Sequence, residues 1–294
     1  MARVGIVQRT ASRALLGYLR RRPTARGSWR ALTLAKPFLV AELEPGVYIR
    51  PYSLSPIELG ILRKGVLEPE TVDVFRGLLR PGLTVIDLGA NIGQYTLLAA
   101  HHVGPHGQVH AFEPTPEVAD SLQANVTLNG FGNVTICRAA VSDAPGIVHL
   151  HPDPEAPDIN SILPVRGQNR GATVEVPALR LDDYIAQRGL GPVDMVKMDI
   201  EGAEMMALAG APKLLSGETA PILILELNPE ALDRAGSSPA ELLRLLERHG
   251  YAYHGIASYG GDTYANGIAT KPGHWRRFPG LHEWDLRPVT EGVR

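Results

Sequence analysis

The chain has one cysteine in 294 residues, Cys137. A single thiol closes no disulfide within the chain and builds no cysteine-based metal site. In the apolar stretch 134–138 it reads as a small buried hydrophobe. That usage fits a reducing compartment, the cytoplasm. Long hydrophobic runs are missing too. None approaches the roughly 20 residues that cross a bilayer, so no transmembrane segment is expected. The ten histidines show no zinc spacing, since His101-His102 falls on a helical pattern while His149 and His151 alternate on a strand. Lysine is scarce, 5 against 24 arginines, a bias from which no function is read.

Acids are absent from one region only. Residues 1–36 hold nine of the 29 Lys+Arg and none of the 31 Asp+Glu, so the formal net charge of −2 hides a basic arm on a body with 20 basic and 31 acidic residues. Such an arm suits a peripheral membrane contact with anionic lipid, an acidic partner or RNA. It has the composition of an organellar transit peptide, and it equally fits a plain solvated helix. The acidic body argues against a nucleic-acid substrate, because phosphate binding needs basic clusters on the route to the active site.

What is present is ordinary for a globular protein, 44% hydrophobic and 20% charged residues, enough for one main domain with a sizeable core and an added arm. Residues 1–40 form the arm, with an amphipathic helix over 12–22 that stops at Pro23. Residues 41–81 read as a flap or lid, a strand around Val47-Tyr48-Ile49 followed by two short helices within 55–79. From 82 to 271 short apolar runs alternate with amphipathic stretches, the pattern of parallel strands covered by helices. Strands are expected at 84–88, 108–112, 134–138, 195–198, 222–227, 251–256 and 265–270. The helices between them fall near 92–103, 116–129, 202–215 and 239–249. The stretch 144–178 breaks the alternation as a small β insertion around the polar loop 158–161. Its Asn160 and Ser161 are candidates for acceptor binding, since such insertions often carry specificity. Residues 272–294 look like an irregular tail.

In open α/β sheets ligands bind at the carboxyl ends of strands, and the first strand–turn–helix is the usual entry point. Asp87-Leu88-Gly89-Ala90-Asn91-Ile92-Gly93 occupies that place. Gly89 permits a tight turn and Gly93 a close approach at the helix start. The dinucleotide fingerprint G-x-G-x-x-G is absent, because Asn91 stands between glycines spaced G-x-x-x-G, which speaks against NAD or FAD. About twenty residues after this turn Glu113 ends the next strand, where an acid accepts both ribose hydroxyls of an adenosyl group.

The turn DLGANIGQYT, followed in order by HAFEP, AAVSD, VKMDIEGAE and ILELN, resembles the FkbM family of class I methyltransferases over about residues 65–269. The most specific part is 197–204, similar to that family's K-x-D-x-E-G-x-E box. The resemblance implies an α/β, Rossmann-like sheet of seven strands, mostly parallel with an antiparallel last strand, an N-terminal helical flap and a small β insertion. It also implies S-adenosylmethionine as cofactor and O-methylation of a small-molecule hydroxyl on a sugar, glycolipid or polyketide-like product. By position, Asp87, Gly89, Asn91 and Gly93 would surround the methionine part and Glu113, followed by Pro114, would hold the ribose. Ala140-Val141-Ser142 would lie near the adenine, and Glu68 belongs to an approach segment of the G-x-x-E-P kind, with Leu67 where an aromatic is common.

Asp199, ending the fourth strand, is expected nearest the transfer site and in contact with both cofactor and acceptor. Glu201 and His254 are the other catalytic candidates, and Glu226 is a candidate for the acceptor. These acids leave a divalent metal open as a less favoured option, since magnesium-type ions prefer oxygen ligands. Acids such as Glu201 and Glu204 also suit a helix N-terminus for electrostatic reasons alone. The rival readings are an RNA, peptide or carboxylate methyltransferase and a non-catalytic docking scaffold. Oligomeric state is not legible.

Overall fold

The structure, a computed structural model, describes residues 33–152, 160–161, 173–217, 219–256, 266–284 and 286–289, with positions 10, 12, 14 and 17 of the arm. Of the helix expected over 12–22 only Ser12, Ala14 and Gly17 are described, and all three are helical. The Ser12 hydroxyl ties the arm to the body: it accepts from the Val40 amide at 2.8 Å and donates to the Phe38 carbonyl at 3.1 Å.

The flap opens with an antiparallel hairpin, β1 (Ala41–Glu44) and β2 (Val47–Ile49). Next come α1 (Pro56–Lys64), capped by the Ser55 hydroxyl on the Glu58 amide, and α2 (Pro69–Leu78). Proline at the first helical position of both suits a site whose N–H has no partner in the helix. Ile61, Leu62, Val72 and Phe75 are buried in one core with Val85, Leu97 and Leu98, so this segment packs into the main domain.

The main sheet begins with β3 (Thr84–Leu88), α3 (Gln94–Val103), β4 (Gln108–Phe112), α4 (Pro116–Asn129) and β5 (Val134–Cys137). The insertion supplies β6 (Ala140–Val141), β7 (Gly146–Pro152), β8 (Asn160–Ser161) and β9 (Val174–Leu179), a separate small sheet ordered β6-β9-β7-β8. Then follow α5 (Leu181–Arg188), β10 (Met195–Met198), α6 (Glu204–Ala209), α7 (Pro212–Ser216), β11 (Ile222–Glu226), α8 (Pro229–Arg234), α9 (Pro239–Arg248), β12 (Ala252–Ile256) and β13 (Asn266–Thr270). The order across the large sheet is β14-β12-β13-β11-β10-β3-β4-β5, where β14 is Leu286–Pro288. The seven expected strands are all in it, and β13 runs antiparallel to both neighbours. β3 and β10 are buried along almost their whole length because helices cover both faces, which is why they read as unbroken apolar runs. The chain steps outward from β3 to β4 and β5, then returns to β10 on the other side of β3, so the strand order reverses between β3 and β10.

Three expectations are corrected. Of the irregular tail expected over 272–294, residues 272–284 and 286–289 are described and are not irregular: α10 (His274–Arg277), a 3-10 turn at Pro279–Glu283 and β14 add an eighth strand against β12, and Phe278 and Leu281 are buried. The helix expected over 202–215 is broken into α6 and α7 at Gly210, where a Cβ would strike the Ser142 carbonyl, and at Pro212, which starts α7. α5 and α8 were not anticipated. Among the described residues no helix is long and apolar enough to cross a membrane.

Candidate active site

A cleft of about 410 Å³ opens at the carboxyl ends of the strands, where the order reverses. Its floor is the turn after β3. Gly89 adopts φ +77°, and a side chain there would run into the Asp199 carbonyl oxygen, so only glycine lets the ends of β3 and β10 meet. The Gly89 and Ala90 amides both donate to the Phe112 carbonyl, at 3.0 and 2.9 Å, drawing the turn onto the end of β4. Glu113 lies buried beside it. One carboxylate oxygen accepts from the Asn91 amide at 3.0 Å and the other from the Thr115 amide at 2.9 Å. Burial pushes its pKa up to about 7 despite these bonds.

The opposite end of the cleft is acidic. Glu68, Asp199, Glu201 and Glu226 line it together with Asn228, and among the described residues no lysine, arginine or histidine lines the cleft. Burial, then the nearby Asp199 charge, raises Glu226 to about 8 and Glu201 to about 7. Lys197 lies beneath this group, 0% exposed, with its ammonium 3.6 Å from the Asp199 carboxylate and 4.8 Å from the centre of the Tyr95 ring. Burial alone would lower its pKa. Asp199, Glu68, Asp87 and Glu226 outweigh that and raise it, so it is a cation.

The flap walls one side of the cleft. Ile57 and Ile61 of α1 and Leu67 face the cleft. The Leu67 amide donates to the Gln94 side chain at 2.8 Å, Gln94 donates back to the Leu67 carbonyl at 3.3 Å, and the Tyr95 hydroxyl donates to Glu68 at 2.9 Å. Glu68, Asn91 and Glu201 have φ of +48°, +51° and +53°, so three of the four non-glycine residues with positive φ among those described line this cleft. Strain of this kind persists where surrounding contacts over-determine the backbone, as at binding sites.

Of the residues expected from sequence, Glu68, Gly89, Asn91, Glu113, Pro114, Ala140, Val141, Asp199, Glu201 and Glu226 line the cleft. Asp87 does not. It is buried behind the turn, raised to about 6 by desolvation, and accepts a 2.5 Å hydrogen bond from the Thr96 hydroxyl. Gly93 caps α3 and packs under Leu122, and Ser142 is tied by its amide to the Leu179 carbonyl at 2.9 Å. Asn160 and Ser161 form β8 against Pro152 and His151, while residues 158–159 lie outside the described residues. His254 is not among the described residues that line the cleft; its ring packs edge-on against Trp275, 5.7 Å between centroids. Among the described residues no group of three or more His, Cys, Asp or Glu is placed to hold a metal ion.

Sequence reasoning missed the lid residues, Tyr95, Phe112, Leu150 and Asn228. Asn228 had a signal, an asparagine immediately before a proline after an apolar run, and its side chain does cap α8 by accepting from the Ala231 amide at 3.1 Å.

Taken in order β5-β4-β3-β10-β11-β13-β12, parallel except for β13, with a glycine turn after β3 and an acid after β4 facing one cleft, the fold is that of a class I methyltransferase. Residues 87–253 match the Methyltransferase FkbM domain. The chain belongs to that family, whose cofactor is S-adenosylmethionine. Among similar proteins, the 31-O-demethyl-FK506 methyltransferase FkbM of Streptomyces tacrolimicus is 36% identical over 160 residues, 45% of this chain and 60% of the relative. The methyltransferase sdnD of Sordaria araneosa is 28% identical over 187 residues, 54% of this chain and 71% of its own. The 2-O-methyltransferase NoeI of Sinorhizobium fredii is 24% identical over 194 residues, 59% of this chain and 79% of its own. The chain thus spans about three fifths of the length of the first of these.

The cleft suits the cofactor on its own residues. Each Glu113 oxygen keeps a lone pair beyond the amide it already accepts from, so the carboxylate could accept from two ribose hydroxyls. Ala140, Val141 and Phe112 offer an apolar wall that would suit a purine, and the acidic end would suit a cationic sulfur. Glu113→Ala is expected to weaken cofactor binding by about 1.5–3 kcal/mol, the usual worth of hydrogen bonds to a charged group. Titration calorimetry measures it, and an unchanged affinity would remove Glu113 from the ribose site.

The raised carboxylates also set a pH dependence. Asp87 at about 6, Glu113 and Glu201 at about 7 and Glu226 at about 8 hold protons more tightly folded than unfolded, where carboxyls titrate near pH 4. Their contribution is complete below the unfolded values and is lost as pH rises through the folded ones. The cofactor-free protein should therefore unfold at lower urea at pH 8.5 than at pH 6. A midpoint that rises over this interval contradicts the assignment.

Proposed function

We propose that this protein transfers a methyl group from S-adenosylmethionine to a hydroxyl of a small molecule such as a sugar, glycolipid or polyketide-like product. The observation that carries the reading is the acidic end of the cleft, Asp199, Glu201 and Glu226, set beside the Glu113 pocket. S-adenosylmethionine supplies, when bound, a methyl group on an already activated sulfonium. Much of the protein's task is then positioning and exclusion of water. Glu113 fixes the ribose, Ile57, Ile61 and Leu67 close the lid side, and Asp199, steadied by Lys197, orients the acceptor hydroxyl. Glu226 or Glu201 takes its proton, because a base titrating near the working pH combines availability with proton affinity. The names of the two O-methyltransferase relatives support an oxygen acceptor. A nucleic-acid acceptor is disfavoured by the acidic body of the chain, 20 basic against 31 acidic residues beyond residue 36, since a phosphate backbone needs cations along its path.

The test is a mass-spectrometric screen for cofactor-dependent methylated products over three panels: neutral hydroxyl compounds, carboxylates and short RNAs. Products from hydroxyl compounds are expected. Products only from carboxylates or RNA would overturn the acceptor reading, and no calorimetric cofactor binding at millimolar concentration would overturn the methyltransferase reading itself.

A further inference from the structure

Three parts of the molecule meet at Tyr95. This buried residue stands in the first turn of α3, just behind the Gly93 that caps the helix. Its hydroxyl donates to the Glu68 carboxylate of the flap at 2.9 Å. The Lys197 ammonium lies over its ring, 4.8 Å from the centre, and Phe75 of α2 meets the ring edge-on with 5.1 Å between centroids. The neighbouring Gln94 takes both backbone groups of Leu67, accepting from the amide at 2.8 Å and donating to the carbonyl at 3.3 Å. Two consecutive residues behind the glycine turn thus grip two consecutive residues of the flap. The grip holds Glu68 at φ +48°, a left-handed conformation that is unfavourable for a residue with a side chain.

Glu68, Asp199, Glu201 and Glu226 line this end of the cleft, with Lys197 buried beneath them. Four carboxyl groups about one ammonium favour a ligand that brings positive charge. Methyl transfer changes the charge of the cofactor at a single atom. As the acceptor oxygen bonds to the methyl carbon, the carbon–sulfur bond breaks and its electron pair stays on sulfur, so the sulfonium of S-adenosylmethionine becomes the neutral thioether of S-adenosylhomocysteine. The two ligands are otherwise alike, and a protein tells them apart by that charge and the methyl group. We propose that Tyr95 is a positioning residue for this discrimination: holding Glu68 through its hydroxyl and Lys197 through its ring, it sets the flap carboxylate so that the cleft favours the sulfonium form over the spent thioether. The flap then loses part of its hold on the ligand once the methyl group has gone. The inference rests on the S-adenosylmethionine reading of the cleft and is independent of the acceptor.

Titration calorimetry of the full chain with S-adenosylmethionine and, separately, with S-adenosylhomocysteine tests it. Tyr95→Phe keeps a ring over Lys197 and against Phe75 and removes only the hydroxyl. It is expected to weaken S-adenosylmethionine about tenfold and S-adenosylhomocysteine no more than about twofold. Glu68→Gln removes the charge while keeping an oxygen that accepts from Tyr95, and should show the same selective loss. The two changes together should lose no more than Glu68→Gln alone, because they act through one carboxylate. A tyrosine that only fills space predicts something else, a lowered urea midpoint with equal losses for both ligands. An affinity ratio unchanged from the parent in either variant, or losses that add in the double variant, would overturn the proposal. Absence of heat with both ligands in the parent chain would remove the cofactor reading and this inference with it, whereas parent binding with an unaltered ratio in the variants removes only the role of Tyr95.

Discussion

Lys197→Met is expected to lower the unfolding free energy by about 3–5 kcal/mol, the cost found when one partner of a buried charge group is removed. The side chain is fully buried at the end of a central strand, and methionine fills similar space, so the loss isolates the charge. Asp87 and Asp199 are the acids nearest to it along β3 and β10, with Glu68 and Glu226 reaching the same ammonium. Without the cation Asp87, already raised to about 6, moves further up and becomes neutral near pH 7, which recovers part of the cost. Urea unfolding at pH 6 and pH 8.5 measures both parts, and the deficit should be larger at the higher pH. Adding Asp199→Asn should restore some stability, a coupling that a merely space-filling lysine would not produce. An unchanged urea midpoint would show that the cluster does not depend on Lys197.

Asp199→Asn is expected to lower turnover by about 10²–10³, the range for removing one electrostatic contact at a reacting centre. Its side chain is 39% exposed toward the cleft while its backbone carbonyl is pressed against Gly89, so the substitution leaves the β3–β10 junction in place. Cofactor affinity should fall far less than turnover. Glu226→Gln should act differently: if Glu226 takes the proton, rate rises with pH through a value of about 8 in the parent chain, and the variant loses that limb. Both comparisons use the acceptor found in the screen above. Asp199→Asn with more than about a tenth of parental turnover would leave that residue a bystander.

The parts of this molecule legible in the sequence are those in which one local rule suffices. β3, β4, β10 and β11 are buried on both faces and read as apolar runs, the glycines at 89 and 93 mark the turn, and Glu113 ends β4 at the spacing an adenosyl ribose needs. The unanticipated elements depend on distant partners. α5 follows β9 with no linker to announce it, and Asp182 holds it by accepting from the Lys213 and Leu214 amides at 2.8 and 3.0 Å, about thirty residues away. β14 is three residues with a terminal proline, too short for a pattern, and exists because β12 offers it an edge. The site divides in the same way. Asp87 and Glu113 look alike as acids at strand ends, yet the turn covers one and leaves the other facing the cleft. Lys197 interrupts the apolar strand Met195–Met198, and that irregularity was the available sign of a buried charge centre.

The sheet order also dictates a sequence of events in synthesis. β11 leaves the ribosome before either of the strands that complete its side of the sheet, and its outer neighbour is β13, made some forty residues later and after β12. Until β13 slides between β11 and β12, Ile222–Glu226 presents a row of unpaired backbone groups on an apolar strand, a template for pairing with another nascent chain. A late strand thus seals an edge made some forty residues earlier, and a chain that stops between residues 226 and 266 leaves that edge open.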